Sequence, residues 1–220
     1  MAKTMAKSNK ISEVNNFTNF LFELGALKHV KRSGWWLINV KDPENVAEHS
    51  FRAAVIGYVL AKMENGSGKS KDSFKGKDNI NVSSVDVNKV TMMCLFNDLH
   101  EARLNDLHKV GHRYIDFRKA ETAAHGEQTE NLGDVGEEIF GFHEEFQAQK
   151  TKESIIARDA DLLENAFQAK EYIEIGYKDA QNWIDNIREV LVTENSKRML
   201  KEIETISCND WWKDLKKAER

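Results

Sequence analysis

The residues able to do chemistry are densest between Thr91 and His108, in the run TMMCLFNDLHEARLNDLH. One apolar turn, Met92-Met93-Cys94-Leu95-Phe96, leads straight into Asn97, Asp98, His100, Glu101, Asp106 and His108. Where the helix continues, Asn97 and Glu101 stand at i,i+4 and Asp98 and Glu101 at i,i+3, on one face. Oxygen-bearing side chains at the end of an apolar helix are one way in which all-α proteins build a metal site. The competing reading is a solvated face that follows a buried one.

Three other stretches carry candidates. In Lys28-His29-Val30-Lys31-Arg32-Ser33-Gly34-Trp35-Trp36, Arg32 beside two tryptophans offers a phosphate clamp and a platform for a base. The same residues also read as a basic surface over a tryptophan core. His49 follows Asp42-Pro43-Glu44. Asp42 at the N-cap and Pro43 at the first helical position predict a helix from there to about Met63. Its single histidine reads either as a ligand or as a satisfied interior side chain. Asp159, Asp161 and Glu164 are interspersed on a late helix whose stripe is Ile155, Ile156, Ala160, Leu163 and Phe167.

The elements that must position these residues are helices. One proline and 12 glycines in 220 residues leave too little punctuation for a many-turned β fold. Apolar content of 40% and charged content of 31% fit a helix-rich globular chain. Residues 1–10 read as a flexible tail. A helix is predicted from Ile11 through Val14, Phe17, Leu21 and Leu24, and others over 135–149, from Lys152, around Trp183–Leu191 and around Met199–Ile206. The Gly-, Ser- and Lys-rich run at 64–84 reads as a mobile loop within one domain, 11–220. In the polar stretch 109–130, Tyr114 and Phe117 read as anchors.

A net charge of −4 removes electrostatic support for binding a nucleic-acid polymer, while leaving room for small phosphorylated ligands. Cys94 and Cys208 are too few for a disulfide framework and suit a reducing compartment. No apolar run approaches a membrane span, and the basic N-terminus precedes no apolar signal core. The expected setting is cytoplasmic, away from membranes.

Taken in order, His49, Asn97-Asp98 and Asp161 resemble the HD-domain metal-dependent phosphohydrolases, whose signature is His … His-Asp … Asp on separate helices. Further segments look like the 5′-deoxynucleotidase branch of that family: Lys31-Arg32-Ser33-Gly34-Trp35, Pro43-Glu44-Asn45-Val46-Ala47-Glu48-His49-Ser50, Asp98-Leu99-His100-Glu101-Ala102 with Asn105-Asp106, and Asp159-Ala160-Asp161-Leu162-Leu163-Glu164 with Gln168-Ala169 and Glu171-Tyr172. The resemblance spans roughly Phe17 to Tyr172.

It implies an all-α, single-domain HD-type helical bundle that hydrolyses (deoxy)ribonucleoside 5′-monophosphates to nucleoside and phosphate, as a homodimer. It implies a divalent metal (Mn, Mg, Co or similar) on His49, Asp98 and Asp161, with Asn97 at the remaining ligand position. Asp161 is preferred to Asp159 because the spacing to Glu164 and to Gln168-Ala169 aligns it. Glu101 is implied as general acid/base, Arg32 as phosphate ligand, Asp106 as ligand to the sugar and Trp35 as a neighbour of the sugar's 2′ position. This chain departs from the pattern where Asn97 stands in place of the family's histidine. An oxygen there in place of an imidazole tilts the site toward Mn or Mg. The alternative function is a catalytically degenerate HD-domain protein that binds nucleotide or metal, and His100 is an alternative donor.

Overall fold

Scarce helix breakers leave the described residues mostly helical. The computed structural model describes residues 2–67 and 84–216, with side chains at 13–66 and 84–216. Ten α-helices follow in order among these residues: α1 (Ala2–Leu24), α2 (Val46–Ser67), α3 (Val87–Phe96), α4 (Glu101–Leu104), α5 (Phe117–Thr129), α6 (Asp134–Ala148), α7 (Lys152–Glu174), α8 (Gln181–Val190), α9 (Glu194–Thr205) and α10 (Asp210–Lys213). The described residues contain no strand, only a bridge between Lys31 and Asn45. The all-α class is the one expected. Two compact units emerge, each from separated stretches: Met1–Phe51 with Leu95–Lys150, and Arg52–Cys94 with Thr151–Arg220.

In the first unit, Phe20, Leu27, Val30, Val46, Leu99, Leu132 and Ile139 form the core. Burying each such side chain contributes about 1.5–3 kcal/mol. The start of α2 is fixed by its backbone. Val46 N donates to Val30 O at 2.9 Å and Arg32 N to Glu44 O at 3.0 Å. The cap is therefore Asn45, and not Asp42 as its position beside Pro43 suggested. Glu48 N donates to Asn45 Oδ1 at 3.0 Å, and Asn45 N donates to Glu48 Oε2 at 2.8 Å. This reciprocal pair is a capping box. Pro43 and Glu44 serve the bridge instead of the first turn.

Helix α1 begins at Ala2, ahead of the predicted Ile11, and α2 continues to Ser67, past Met63. Residues 64–67 of the expected loop are thus helical, while 68–83 lie outside the described residues. The predicted helix over Thr91–His108 is broken: α3 stops at Phe96, Asn97–His100 form turns, and α4 holds only Glu101–Leu104. Residues 109–130 contain a helix, α5, that their polarity concealed. Phe117 is buried there, but Tyr114 is 81% exposed and anchors nothing.

In the second unit, α8 and α9 pack on α7. Thr151 caps α7 through a box with Ser154. Ala157, Ala160, Ala166 and Ala169 are fully buried, and their small side chains permit close approach. Asp159 accepts from Val192 N (3.1 Å), Thr193 N (2.7 Å) and Ser196 Oγ (2.6 Å), and so fixes the entry to α9.

Candidate active site

The first unit gathers Arg32, His49, Asn97, Asp98, Glu101 and Asp106. Arg32 lies just after the Val30 pairing, and His49 sits in the first turn of α2. The break after α3 does the rest. Glu101 N, Ala102 N and Arg103 N donate to the carbonyls of Asp98, Leu99 and His100, at 3.1, 3.1 and 3.0 Å. Asn97 O leaves the helical ladder and accepts from His125 Nε2 at 2.9 Å. Beyond α4, Asn105 takes φ 61°, ψ 162°, which turns the chain into Asp106. Asp98 and Glu101 are neighbours through this tight turn, and not through the continuous helix face that their spacing suggested.

Arg32 Nη1 is shared by three carboxylates. It lies 2.7 Å from Asp106 Oδ2, 3.7 Å from Asp98 Oδ2 and 3.8 Å from Glu101 Oε1. Asp106 Oδ1 also accepts from Ser33 N (3.2 Å) and Ser33 Oγ (3.1 Å). His49 Nε2 is 3.3 Å from Asp98 Oδ2, and Asn97 Nδ2 donates to Asp98 Oδ1 at 2.7 Å. Asp98 and Glu101 are both buried, yet they titrate in opposite directions. Burial opposes ionisation of Asp98, but the hydrogen bond and charge of His49, then Arg32, hold its carboxyl well below the usual range. Glu101 is raised well above its ordinary value, by burial first and by the charge of Asp98 next. One carboxylate kept ionised beside one that holds its proton is the division that acid–base chemistry uses.

The other predicted residues are placed differently. Trp35 is 1% exposed, and its indole N–H donates to Glu44 Oε1 at 3.1 Å. Its ring belongs to the interior and has no face for a base; Trp36 is the exposed member of the pair. Asp161 is on α7 in the second unit, half-buried, with Arg158 Nη1 at 3.9 Å. Asp159 spends its oxygens on the entry to α9.

Sequence reasoning missed Ser33 as the support of Asp106. It also missed a cluster of buried histidines, His100, His125 and His143. His100 Nε2 faces Glu121 Oε1 at 3.6 Å. Burial, then the neighbouring histidines, push His125 down to about 3, and burial pushes His143 down to about 4. Only the repeated histidine hinted at them, since no apolar pattern surrounds it. Arg52 was also missed. It binds Glu164 Oε1 (2.8 Å), Glu171 Oε1 (2.6 Å) and Gln168 Oε1 (2.9 Å) within the second unit. The signal was there in the i, i+4, i+7 spacing of the three acceptors.

A family model for the HD domain matches residues 24–204. The chain belongs to the HD-domain family. A 5′-deoxynucleotidase HDDC2 from Dictyostelium discoideum is 33% identical over 163 residues, 72% of this chain and 78% of the relative. The Homo sapiens protein of the same name is 27% identical over 161 residues, 72% of this chain and 69% of the relative. Among solved structures, a conserved hypothetical protein from Pyrococcus furiosus has a TM-score of 0.68 at 26% identity, covering 86% of this chain and 99% of that one. A predicted metal-dependent phosphohydrolase from Magnetospirillum magnetotacticum has a TM-score of 0.57 at 20% identity, covering 88% and 92%; it shares the fold. The HD-domain expectation is met at the level of family.

The donors present suit a divalent ion. His49 offers an imidazole and Asp98 an ionised carboxylate, and Glu101 Oε2 is buried with no hydrogen-bond partner in the protein. Imidazole with carboxylate oxygen suits first-row divalent metals. Among the described residues, no helix is long and apolar enough to cross a membrane.

Proposed function

We propose that this HD-domain hydrolase cleaves nucleoside 5′-monophosphates, deoxynucleotides foremost, to nucleoside and inorganic phosphate. The observation that carries this reading is the guanidinium of Arg32 shared by three carboxylates, two of them buried, of which Glu101 favours its proton and Asp98 does not. The names of the relatives support the substrate class. His49, Asp98 and Asp161 are the ligands we assign to a divalent metal, with Asn97 beside them. When bound, that ion supplies Lewis acidity toward phosphoryl oxygens and activation of water.

The chain's own groups do the rest. Arg32 neutralises phosphate charge, which a guanidinium in a water-poor site does strongly. Ser33 and Asp106 hold it in place, and Asp106 also takes the sugar hydroxyl. Glu101, which holds its proton, gives it to the departing 5′-oxygen as general acid. Trp35, bonded to Glu44, stiffens the Arg32 segment from behind. A cytoplasmic homodimer acting on free nucleotides goes with this reading.

One observation favours the second reading, a binding protein with little turnover. Asn97 Nδ2 donates to Asp98 Oδ1, so the amide engages the carboxylate as a donor. The test is phosphate release from ribo- and deoxynucleoside 5′-monophosphates with Mn²⁺, Co²⁺, Mg²⁺ or EDTA, for wild type, Asp98→Ala and Asn97→His. The expected result is metal-dependent release by wild type that Asp98→Ala abolishes. Release by Asn97→His alone would establish the binding role, and silence in both would overturn the substrate assignment.

A further inference from the structure

Helix α2 buries one face in its own chain. Ala53, Ala54, Ile56, Leu60 and Ala61 are all buried. At Gly57 an added Cβ would lie 2.7 Å from Cys94 Sγ and 3.3 Å from Val90 Cγ1, so this face packs tightly on α3. The opposite face is exposed and apolar. Phe51 is 69% exposed, Val55 48%, Tyr58 45% and Val59 39%. Glu48 and Lys62 are exposed at the two ends of this run.

The positions Glu48, Phe51, Val55, Tyr58 and Lys62 alternate spacings of three and four, the interval of a seam between helices. The apolar members make a patch of roughly a few hundred Å², the size at which an exposed apolar surface marks an interaction site. The charged ends are held on the seam. Lys62 Nζ lies 5.5 Å from the centroid of the Tyr58 ring. Glu48 Oε2 accepts from Asn45 N at 2.8 Å, which ties the carboxylate to the first turn.

We infer that this face of α2 is the contact with a second copy of the chain, the two helices running antiparallel across a two-fold axis at Val55. The order of the residues favours a second copy over a foreign partner, because the seam is its own complement when reversed. Glu48 and Lys62 stand at equal distances before and after Val55, as do Phe51 and Val59. Reversal about Val55 therefore sets the acid of each copy beside the base of the other, and Phe51 against Val59. Such a self-complementary patch is what a two-fold dimer requires, and a foreign partner would need none of this symmetry. Parallel copies would oppose Glu48 to Glu48 and Lys62 to Lys62. A crossing of about 20° keeps both ends within reach of each other. The apolar middle supplies the affinity, and the charges set the orientation. The inference deepens the homodimer of the proposed function, on which it rests for its occupant, and it is independent of the nucleotidase chemistry. The contact reaches Glu48, next to His49, so association steadies the turn that presents that imidazole.

The test is sedimentation velocity of the full-length protein at micromolar concentration. Wild type is expected to sediment as a dimer. Val55→Asp is expected to sediment as a monomer with an unchanged melting curve, since its side chain is half exposed. Lys62→Glu makes both ends repel and is expected to raise the dimer dissociation constant about 10-fold or more; it decides the matter if Val55→Asp melts early. Orientation is read by oxidation with copper phenanthroline, with wild type as background. The thiols of Val55→Cys meet across the axis and are expected to join, whereas those of Lys62→Cys lie about 21 Å apart along it and are not. A monomeric wild type would overturn the homodimer and its interface together. A wild-type dimer that Val55→Asp and Lys62→Glu leave intact would overturn this interface alone, and cross-linking of Lys62→Cys as readily as Val55→Cys would overturn the antiparallel arrangement. None of these results touches the nucleotidase reading, which phosphate release decides.

Discussion

Asp98 and Glu101 stand three residues apart and differ in protonation because of their partners. Asp98 has His49 and the Asn97 amide at its oxygens, whereas Glu101 keeps one oxygen without a partner in a buried place. The histidines follow the same logic with the opposite sign. The fold holds His125 neutral, with its value lowered from 6.5 to about 3, so its contribution to stability is complete above pH 6.5 and is lost as pH falls toward 3. At pH 5 the loss amounts to about 2 kcal/mol. Glu101 works in the opposite sense, because its raised value makes its contribution fade as pH rises above 4.5. The comparison that isolates His125 is urea unfolding of metal-free wild type and His125→Phe at pH 7 and pH 5. The drop between the two is expected to be about 2 kcal/mol smaller in the variant; equal drops would contradict the assignment. Asn105, at φ 61° and ψ 162°, holds a backbone region in which a side chain costs about 1–3 kcal/mol. Asn105→Gly is expected to raise stability in urea by about 1 kcal/mol, after the entropy that glycine adds to the unfolded chain; a lower stability would show that no strain is stored there. The identities of Arg32, His49, Asp98, Glu101 and Asp106 were legible because each sits in a short ordered segment. The histidine cluster was not, because three residues scattered over 43 positions carry no local pattern.

At the scale of elements, legibility followed burial pattern. Helix α7 announced itself by its apolar stripe, whereas α5 did not. The buried residues of α5 are Phe117, Ala124, His125, Gln128 and Thr129, mostly polar or small, so hydrophobic periodicity was missing. The break at Asn97 was also hidden. It contains neither glycine nor proline, and it is held by the tertiary bond from His125 to Asn97 O. Helices α5 and α6 meet closely at Gly136, where an added Cβ would lie 2.1 Å from Thr129 O and 3.0 Å from Leu132 Cβ. Backbone on one side cannot give way. Alanine's helix preference over glycine is worth about 1 kcal/mol, and overpacking costs typically about 1–3 kcal/mol. Gly136→Ala is therefore expected to lower the urea midpoint despite its better propensity. A higher midpoint would mean that the two helices are not in contact there.

At the scale of the whole molecule, composition alone pointed to an all-α chain, and the ordered motifs pointed to the HD-domain family that the comparison over residues 24–204 establishes. The division into two units, each made of separated stretches, was not legible, since long-range pairing leaves no trace in local spacing. The central claim is that Glu101, kept protonated by burial and by Asp98, moves protons in a metal-dependent hydrolysis. The measurement that bears on it most directly is steady-state phosphate release from a deoxynucleoside 5′-monophosphate with Mn²⁺, comparing wild type with Glu101→Gln. Glutamine keeps the shape and removes the proton transfer, so kcat is expected to fall about 10²- to 10⁴-fold, while KM changes little and EDTA silences the wild type. Equal kcat in the two proteins, or no release by wild type with any divalent metal, would contradict the account.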